Sequence, residues 1–244
     1  MTVVILTGAS SGIGEATALR LGRPGMTLVL AARRVPELTA VRARIEANGG
    51  AAVVVPTDVG DPEAVTALVE QARAVTGRID ALVNNAGVGT NASVLAEDHS
   101  VDRAIDINLR APIRLMRAVV PIMEEQRSGT IVNIGSVAGE VGIGGVYSAT
   151  KFGLRGMTDS VRRELAGTGV TVTLIEPGYI ATPGNAHRSG LPGPEIVAAA
   201  VESALRRPRR RIIVPFKYRG AVVAAHLFPA IADRIYAGKA SRRR

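Results

Sequence analysis

The hydrophobic pattern of the chain alternates between two kinds of segment. Six short runs are apolar at nearly every position and rich in β-branched residues: 3–6, 28–32, 51–56, 81–85, 130–135 and 170–177. Apolar residues recur at helical spacing in the stretches between them, such as 15–22, 37–49, 62–77 and 101–126. Buried strands alternating with helices are typical of parallel βαβ units, whose right-handed crossovers cover both faces of one sheet. The pattern therefore predicts an α/β fold with a doubly wound parallel sheet.

The part of the chain beyond this alternation has a different pattern. No linker or repeat interrupts residues 1–178, which favours one domain. A Gly- and Pro-rich stretch after Thr182 predicts a mobile loop, followed by a helix over 195–206 and a last strand over 212–215. We expect one domain over 1–215, which includes the loop and helix at 182–206, and a C-terminal basic and apolar helical extension over 216–244.

Composition excludes several classes of site. The 244 residues are 47% hydrophobic, enough for a buried core. The chain has no cysteine, which excludes disulfides, thiolate metal sites and cysteine nucleophiles. His99, His187 and His226 are too scattered to predict a metal site. The first residues lack a basic segment and a long apolar run, so we expect no signal peptide and a cytoplasmic location.

The net charge of +9 comes from one end of the chain. Residues 1–205 carry 18 Lys and Arg against 20 Asp and Glu, whereas residues 206–244 carry 12 against 1. The arginine runs at 206–211 and 241–244 are interpreted as a solvated loop and tail. A surface for anionic lipid or an acidic partner is the alternative. No nucleic acid is expected, since neither stacking aromatic residues nor a recognition-helix pattern accompanies the arginines.

The first strand leads directly into "TGASSGIG", where Gly8, Gly12 and Gly14 stand at the start of a helix. A dinucleotide pyrophosphate needs this arrangement, because glycines let the backbone approach it and the helix N-terminus supplies N–H donors. The turn predicts a cofactor site that also includes Ser10, Ser11 and Ile13.

The end of the second strand indicates which nucleotide is bound. An acidic residue there would accept a hydrogen bond from the ribose 2′-OH and repel a 2′-phosphate. This chain has Ala32 at that place, followed by Arg33 and Arg34, whose guanidinium groups suit a phosphate. We therefore expect NADP(H) rather than NAD(H), with surface arginines opening a helix as the alternative.

The end of the third strand adds a second candidate contact. Asp58 and Val59 follow that strand, where the Asp58 carboxylate is placed to accept from an adenine amino group. An aspartate after a strand is also an ordinary helix cap, which remains the alternative.

Tyr147 and Lys151 form a second candidate cluster. They are four positions apart, so a helix places both side chains on one face. Exchanging protons near neutrality requires the phenol pKa to fall from about 10 to about 7, which is worth about 4 kcal/mol. One cation about 4 Å away supplies this at an effective dielectric constant of about 20. Only three of the 30 basic residues are lysines, so we interpret the pair as chemical; an ordinary surface pair is the alternative.

Several motifs in this order together resemble the short-chain dehydrogenase/reductase family. They are "TGASSGIG" (7–14), "NNAG" (84–87), Asn108, Ser136 in "NIGSVAG", "YSATK" (147–151) and "PGYIAT" (177–182). The resemblance covers about three quarters of the chain and implies a Rossmann fold, a nicotinamide cofactor and hydride transfer.

The resemblance also implies residue roles. Tyr147 would exchange a proton with the substrate oxygen, which Ser136 would hydrogen-bond. Lys151 would bind the nicotinamide ribose and lower the Tyr147 pKa, and Asn108 would hold a water that relays protons. The remaining implied cofactor contacts are Asn84, Ala86 and Gly87 on the adenosine side and Pro177, Gly178, Ile180 and Thr182 beside the nicotinamide. Each has a structural alternative: Asn84 bonding a neighbouring strand, Ser136 ending a strand, or Asn108 serving its own helix.

The chain departs from the family in two places. Ser136 and Tyr147 are closer in sequence than is usual, so the loop 140–146 is expected to be shorter, and Gly135 stands where a second serine is frequent.

The C-terminal part lacks the glycine-rich ending of the acyl-carrier-protein reductases, which argues against a housekeeping β-ketoacyl reductase. Residues 220–232 are apolar but too short to span a bilayer, and Pro229 would kink them. We expect this segment to cover the substrate pocket or contact a subunit; lying on a membrane surface is the alternative.

The expected activity is an NADP(H)-dependent oxidoreductase that interconverts a ketone or aldehyde and an alcohol. An apolar small-molecule substrate is expected from the pocket candidates Val88, Val94, Ile143, Val146 and Tyr179. The resemblance implies a homodimer or homotetramer built on the helices near 101–126 and 147–166. The alternatives are a non-catalytic NADP(H)-binding sensor or scaffold, which would not need a tuned phenol, and a peripheral membrane protein that uses the basic end.

Overall fold

A computed structural model describes residues 1–89, 97–186 and 188–237. Each of the six predicted apolar runs forms a strand, and a seventh follows near the C-terminus. The strands are β1 (Thr2–Thr7), β2 (Met26–Ala32), β3 (Ala51–Pro56), β4 (Ala81–Asn84), β5 (Gly129–Ile134), β6 (Val170–Pro177) and β7 (Arg211–Val214). They form one sheet in the order β3-β2-β1-β4-β5-β6-β7, and its six pairings are all parallel. The predicted doubly wound sheet is confirmed.

Helices connect successive strands on both faces of the sheet. They are α1 (Gly12–Leu21), α2 (Val35–Ala47), α3 (Pro62–Thr76), α4 (Asp98–Ile105), α5 (Ala111–Glu125), α6 (Ala138–Val141), α7 (Val146–Glu164), α8 (Glu195–Arg206), α9 (Tyr218–Leu227) and α10 (Pro229–Tyr236). The predicted helix over 101–126 is divided between α4 and α5 by a π-helical turn, Asp106–Arg110. The spacing of the hydrophobic residues did not indicate this turn, because the π-helical turn and the flanking α-helices all keep their apolar side chains toward the core.

Two apolar layers hold the helices on the sheet. Side chains of α3, α5 and α7, such as Leu68 and Leu115, are buried on one face. On the opposite face α1, α2 and α8 bury others, such as Leu38 and Val201. Because β1 and β2 are buried on both sides, they are apolar at consecutive positions instead of alternating.

The order of the strands determines where a ligand can bind. β1 leads to β2 on one side of the sheet, whereas β4 lies on the other side of β1. The connections after β1 and β4 therefore leave in opposite directions, and a crevice opens between them at the carboxyl edge. Ligands of doubly wound sheets bind at such a switch point.

The C-terminal segment adds two short helices beyond β7. α9 and α10 cover residues 218–236 with a junction at Phe228. Across the described ranges, no helix is long and apolar enough to cross a membrane. The predicted arginine tail at 241–244 lies outside the described residues.

Candidate active site

The glycine-rich turn after β1 requires glycine on steric grounds. Gly8 and Gly12 have positive φ angles of 66° and 57°, which favour residues without a Cβ. A Cβ added to Gly14 would lie 2.0 Å from the Gly8 carbonyl oxygen. The turn therefore brings unobstructed backbone to the start of α1, where free N–H groups can bind an anion.

Thr7 and Asn85 hold this turn against the end of β4. The Thr7 hydroxyl accepts hydrogen bonds from the backbone N–H groups of Asn85 and Ala86, both at 3.0 Å. The Asn85 amide donates to the carbonyls of Thr7 at 2.8 Å and Gly8 at 3.3 Å. Neither side chain was predicted to have a role, although Thr7 belongs to "TGASSGIG" and Asn85 to "NNAG". Their pairing joins residues 78 positions apart, which local spacing cannot indicate.

Arg34 connects the end of β2 to the glycine-rich turn. Its Nη2 donates to the hydroxyls of Ser10 at 3.0 Å and Ser11 at 2.7 Å, and its Nη1 lies 3.3 Å from the Glu37 carboxylate. Arg34 is also the residue that precedes α2, as the alternative of an arginine opening a helix predicted. A guanidinium is thus fixed beside the turn that is built for a phosphate.

Arg33 and Asp58 face each other across the ends of β2 and β3. Arg33 Nη1 lies 3.9 Å from Asp58 Oδ2, and both side chains are about half exposed. Asp58 Oδ1 accepts from the Gly60 N–H at 3.0 Å, while the cap of α3 is Asp61, which accepts from Glu63 N–H. Asp58 therefore shapes the loop before the helix and keeps one oxygen at the crevice.

Val59 and Asn84 are predicted cofactor contacts whose side chains are buried. Val59 is 5% exposed and packs in the core, so only its backbone is available at the crevice. Asn84 is 3% exposed, and its Nδ2 donates to Asn133 Oδ1 on β5 at 2.8 Å. The Asn84 side chain thus serves the neighbouring strand, as the structural alternative expected. Ala86 and Gly87, by contrast, follow β4 into the crevice, and Gly87 is exposed.

Tyr147, Lys151 and Ser136 come together at the carboxyl edge of β5. Tyr147 and Lys151 lie in the first turns of α7, and the Lys151 Nζ is 5.8 Å from the centre of the Tyr147 ring. Ser136 hydrogen-bonds the phenol and accepts from the Ala138 N–H at 3.1 Å. The short loop before α7 is closed by a turn of helix and by Gly142 and Gly145, both with positive φ. The shorter connection therefore keeps the serine and tyrosine in contact.

The pKa of Tyr147 differs from the sequence-based expectation. Burial raises it above 10.0, the hydrogen bond from Ser136 lowers it, and the neighbouring Tyr179 phenol raises it. The net direction within the protein is upward, the reverse of the predicted lowering by Lys151. Burial also lowers the pKa of Lys151 to about 8, and its ammonium donates to the Ile134 carbonyl at 2.9 Å. Desolvation is the largest cause of the shift in both groups, because burial takes water away from the charged form of each.

Asn108 lies in the π-helical turn and is fully buried. Its Oδ1 accepts from the Val88 N–H at 2.8 Å, and its Nδ2 donates to the Val88 carbonyl at 2.9 Å and to Thr150 Oγ1 at 3.3 Å. A Cβ on Gly87 would lie 3.2 Å from Asn108 Oδ1 and 3.7 Å from Lys151 Nζ. The Asn108 side chain therefore connects the loop after β4 to α7, the helix that carries Tyr147 and Lys151. π-helical turns are frequent at functional sites for this kind of side-chain placement.

The segment after β6 closes the crevice from the other side. The Val137 N–H donates to the Pro177 carbonyl at 3.0 Å, and the Gly178 N–H donates to Val214 at 2.7 Å. Ile180 is 2% exposed. A Cβ on Gly12 would lie 3.2 Å from Thr182, so the glycine-rich turn and the "PGYIAT" motif meet.

The predicted substrate pocket is described in part. Val88, Ile143 and Val146 are half-buried, and Tyr179 is exposed with the Arg188 guanidinium 4.0 Å above its ring. Val94 lies outside the described residues.

A buried ionic cluster lies next to the Ser136 loop, and it was not predicted from the sequence. Glu140, four residues after Ser136, lies 2.9 Å from Arg155 and 3.0 Å from Arg211, and its side chain is fully buried. Glu176, which precedes Pro177, also pairs with Arg211. Burial and the adjacent Glu140 raise the pKa of Glu176 to about 8, against the attraction of Arg211. Glu176 therefore holds a proton near neutral pH, and Arg211, which pairs with both carboxyl groups, joins the loop after β5 to the end of β6.

The residues along this edge fit a nicotinamide dinucleotide. A Cβ at any of its three glycines would fill the glycine-rich turn, which we call the glycine cradle. Arg34, which follows β2, lies on one side of it, and Thr182 lies on the other. Lys151 and Tyr147 stand farther along the same edge, after β5. The glycine-rich turn, the arginines after β2 and the Tyr147 phenol thus lie along one edge of the sheet.

Comparisons with known proteins agree with this geometry. A sequence profile described as short chain dehydrogenase matches residues 2–190. The chain is 36% identical over 253 residues to the ketoacyl reductase HetN of Nostoc sp., covering 96% of this chain and 87% of that protein. It is 44% identical over 186 residues to a 3-oxoacyl-(acyl-carrier-protein) reductase of Synechocystis sp., covering 74% of each.

Two solved structures have the same fold. Levodione reductase superposes with a TM-score of 0.83 at 29% identity, covering 91% of this chain and 98% of that one. A metagenomic short-chain oxidoreductase in complex with NADP superposes with a TM-score of 0.78 at 37% identity, covering 87% of this chain and 96% of that one.

Proposed function

Since the chain belongs to the short-chain dehydrogenase family, we propose that it is an NADP(H)-dependent oxidoreductase that interconverts a ketone or aldehyde with the corresponding alcohol. The observation that carries this proposal is the contact of Ser136 with the Tyr147 phenol, beside Lys151, at the edge that holds the glycine cradle. A sensor or scaffold would bind nucleotide without this contact, which supports catalysis over those alternatives.

Tyr147 and Ser136 would act together on the substrate oxygen. The raised pKa keeps the phenol protonated at neutral pH, as a proton donor to a carbonyl must be. Ser136 accepts from the Ala138 N–H, and its one hydroxyl proton, which is directed at the phenol here, would be donated to the substrate oxygen once a carbonyl compound is bound. Two donors aimed at one oxygen stabilise the negative charge that develops there. Bound NADPH would supply the hydride for reduction.

Lys151 and Asn108 would set the position and charge of this centre. The Lys151 ammonium is held by the Ile134 carbonyl within 5.8 Å of the phenol ring, where it can also meet ribose hydroxyls. In the oxidising direction the phenol must lose its proton, and the ammonium then stabilises the phenolate. Asn108 joins the loop after β4 to Thr150 on α7. This connection would fix the distance between the phenol and the edge of the sheet that binds the cofactor.

The preference for NADP(H) is supported by the end of β2. Ala32 cannot accept from a ribose 2′-OH, and the guanidinium of Arg34 is fixed 2.7 Å from Ser11 at the glycine-rich turn. Arg33 offers a second guanidinium beside the same crevice. The structural neighbour that binds NADP supports the same choice.

The proposed substrate is an apolar carbonyl compound. Val88, Ile143 and Val146 provide the half-buried apolar surface near the phenol. Two relatives carry the name of ketoacyl reductases, so a 3-oxoacyl thioester is a candidate despite the different C-terminal part. As in the family generally, the proposed assembly is a homodimer or homotetramer.

The proposal is tested by following NADPH and NADH oxidation with a panel of carbonyl compounds. The panel holds aliphatic ketones, aldehydes, a cyclic diketone and a 3-oxoacyl thioester. We expect turnover of at least one class, with kcat/KM at least about tenfold higher for NADPH than for NADH. Tight NADPH binding without turnover of any compound would favour the sensor or scaffold.

A further inference from the structure

The helices α9 and α10 present an apolar surface to solvent. Six of the ten large hydrophobic side chains that are exposed in the described ranges fall within 20 consecutive residues. We call them the C-terminal apolar face: Phe216, Val223, Leu227, Phe228, Ile231 and Ile235. Phe216 is 74% and Leu227 67% exposed, and a groove of about 460 Å³ runs between the side chains of α9.

The exposed side chains of α9 lie on one side of a helix whose other side packs against the rest of the protein. Val222 of α9 is 2% exposed, and a Cβ on Gly178 would lie 2.2 Å from the Tyr218 ring. His226 Nε2 lies 3.0 Å from the Glu140 carbonyl. α9 therefore buries one face against the enzyme and leaves Val223 and Leu227, four residues apart, on its outer face. Contiguous apolar surface of this kind marks an interaction site in a folded protein.

Cationic groups accompany the apolar face. The Arg219 guanidinium lies 5.6 Å from the centre of the Phe216 ring, and Lys217 Nζ lies 5.9 Å from that of Tyr218. Residues 216–244 hold seven Lys and Arg and one acidic residue, whereas Arg206, Arg210 and Arg211 pair with carboxylates outside this segment. Aromatic and aliphatic side chains with basic residues among them are the composition of helices that lie in the plane of an anionic bilayer surface.

A second copy of the chain suits this surface less well. Two copies joined through the C-terminal apolar face would bring two strongly basic segments together, and like charges repel across an interface. An anionic bilayer, by contrast, attracts each basic residue while it takes up the apolar side chains. We propose that the C-terminal apolar face binds the surface of an anionic phospholipid bilayer.

The position of the face gives this binding a consequence for the proposed reaction. Tyr218 packs against Gly178, next to the segment that closes the crevice. On a bilayer the active site would open close to the lipid, where apolar substrates concentrate. This consequence rests on the proposed function, whereas the binding itself does not.

The test is flotation of the full-length protein with vesicles. We expect it to float with vesicles of phosphatidylcholine and phosphatidylglycerol, much less with phosphatidylcholine alone, and less at high salt. Leu227→Ser and Phe228→Ser should each lower the partition coefficient about tenfold, because each loses an apolar side chain that the lipid would bury. Val35→Ser, at a 42% exposed valine beside two arginines, is the matched control and should float like the wild type.

Circular dichroism and NADPH binding show that the variants are folded, independently of turnover. Failure of the full-length protein to float with the anionic vesicles would overturn the proposal. Undiminished flotation of Leu227→Ser and Phe228→Ser would do the same, since charge alone would then explain binding. A self-association that both variants abolish, without any flotation, would assign the face to a second copy of the chain.

Discussion

The phenol of Tyr147 has a raised pKa because packing removes water from it. The sequence placed Tyr147 and Lys151 on one helical face, and the structure confirms that placement. The direction of the pKa shift could not be predicted from spacing, because it depends on burial by distant residues. A protonated phenol favours the reducing direction, in which the protein group must give up a proton.

At the residue scale, Arg33 tests the choice of cofactor. Arg33→Ala is expected to raise the Kd for NADPH about tenfold or more and to leave that for NADH nearly unchanged. The physical reason is the loss of one charge-assisted hydrogen bond to a phosphate, worth about 1.5–3 kcal/mol. Fluorescence titration with each nucleotide measures the effect. Arg42→Ala removes an exposed arginine of α2 that pairs with Glu46, and is the control. Equal weakening of both nucleotides by Arg33→Ala would contradict the assignment.

Gly14 tests the glycine cradle by sterics alone. Its added Cβ would overlap the Gly8 carbonyl at 2.0 Å, so Gly14→Ala should displace the turn, lower the thermal midpoint and weaken NADPH binding more than tenfold. Gly156→Ala is the control, because a Cβ there meets nothing within 4 Å and lies in the interior of α7. It should raise the free energy of unfolding by about 0.5–1 kcal/mol. A fully functional Gly14→Ala protein would exclude the proposed cradle.

At the scale of elements, the hydrophobic pattern predicted the seven strands of the described sheet, whereas the helix that carries Tyr147 was expected from the family resemblance. It did not predict the π-helical turn at Asn108, since this feature is set by backbone hydrogen bonds and leaves the apolar side inward. Nor did it predict the pair of Glu140 and Glu176, which belong to separate elements and meet only when β5 and β6 pair. Sequence spacing reports contacts within one element, whereas these contacts form between elements.

The Glu140–Glu176 pair gives the fold a pH dependence. Glu176 has its pKa raised from 4.5 to about 8, so between these values the folded state holds a proton that the unfolded state has released. The free energy of unfolding should therefore fall as the pH rises from about 5 to about 8, on the order of 1 kcal/mol per pH unit. Urea denaturation at a series of pH values measures this slope, and Glu176→Gln should flatten it.

Glu202 is the control for this measurement. Burial raises its pKa, but the hydrogen bonds from Arg20 and Arg23 outweigh burial and lower it. Its contribution to stability is therefore lost at acidic pH, as the carboxylate becomes protonated. Glu202→Gln should leave the slope between about 5 and about 8 unchanged. An unchanged slope in Glu176→Gln would mean that Glu176 does not hold this proton in the folded state.

At the scale of the whole molecule, the sheet order brings separate motifs to one edge. The glycine-rich turn, the loop after β4, the Ser136 loop and the segment after β6 are far apart in sequence and lie at adjacent carboxyl ends. Their order along the chain predicted this convergence, because parallel strands end at the same edge. The outward apolar face of α9 and α10 was not predictable in detail, since composition alone does not show which side of a helix is anchored.

The central claim is that the Tyr147 hydroxyl transfers the proton in an NADP(H)-dependent reaction, and Tyr147→Phe tests it most directly. Tyr236→Phe, which removes the hydroxyl of a tyrosine on α10, is the control. With a carbonyl substrate found in the panel, kcat of Tyr147→Phe should fall by at least about a hundredfold, as expected for loss of a general acid, while Kd for NADPH stays within about threefold. A Tyr147→Phe protein that keeps wild-type kcat would contradict the account.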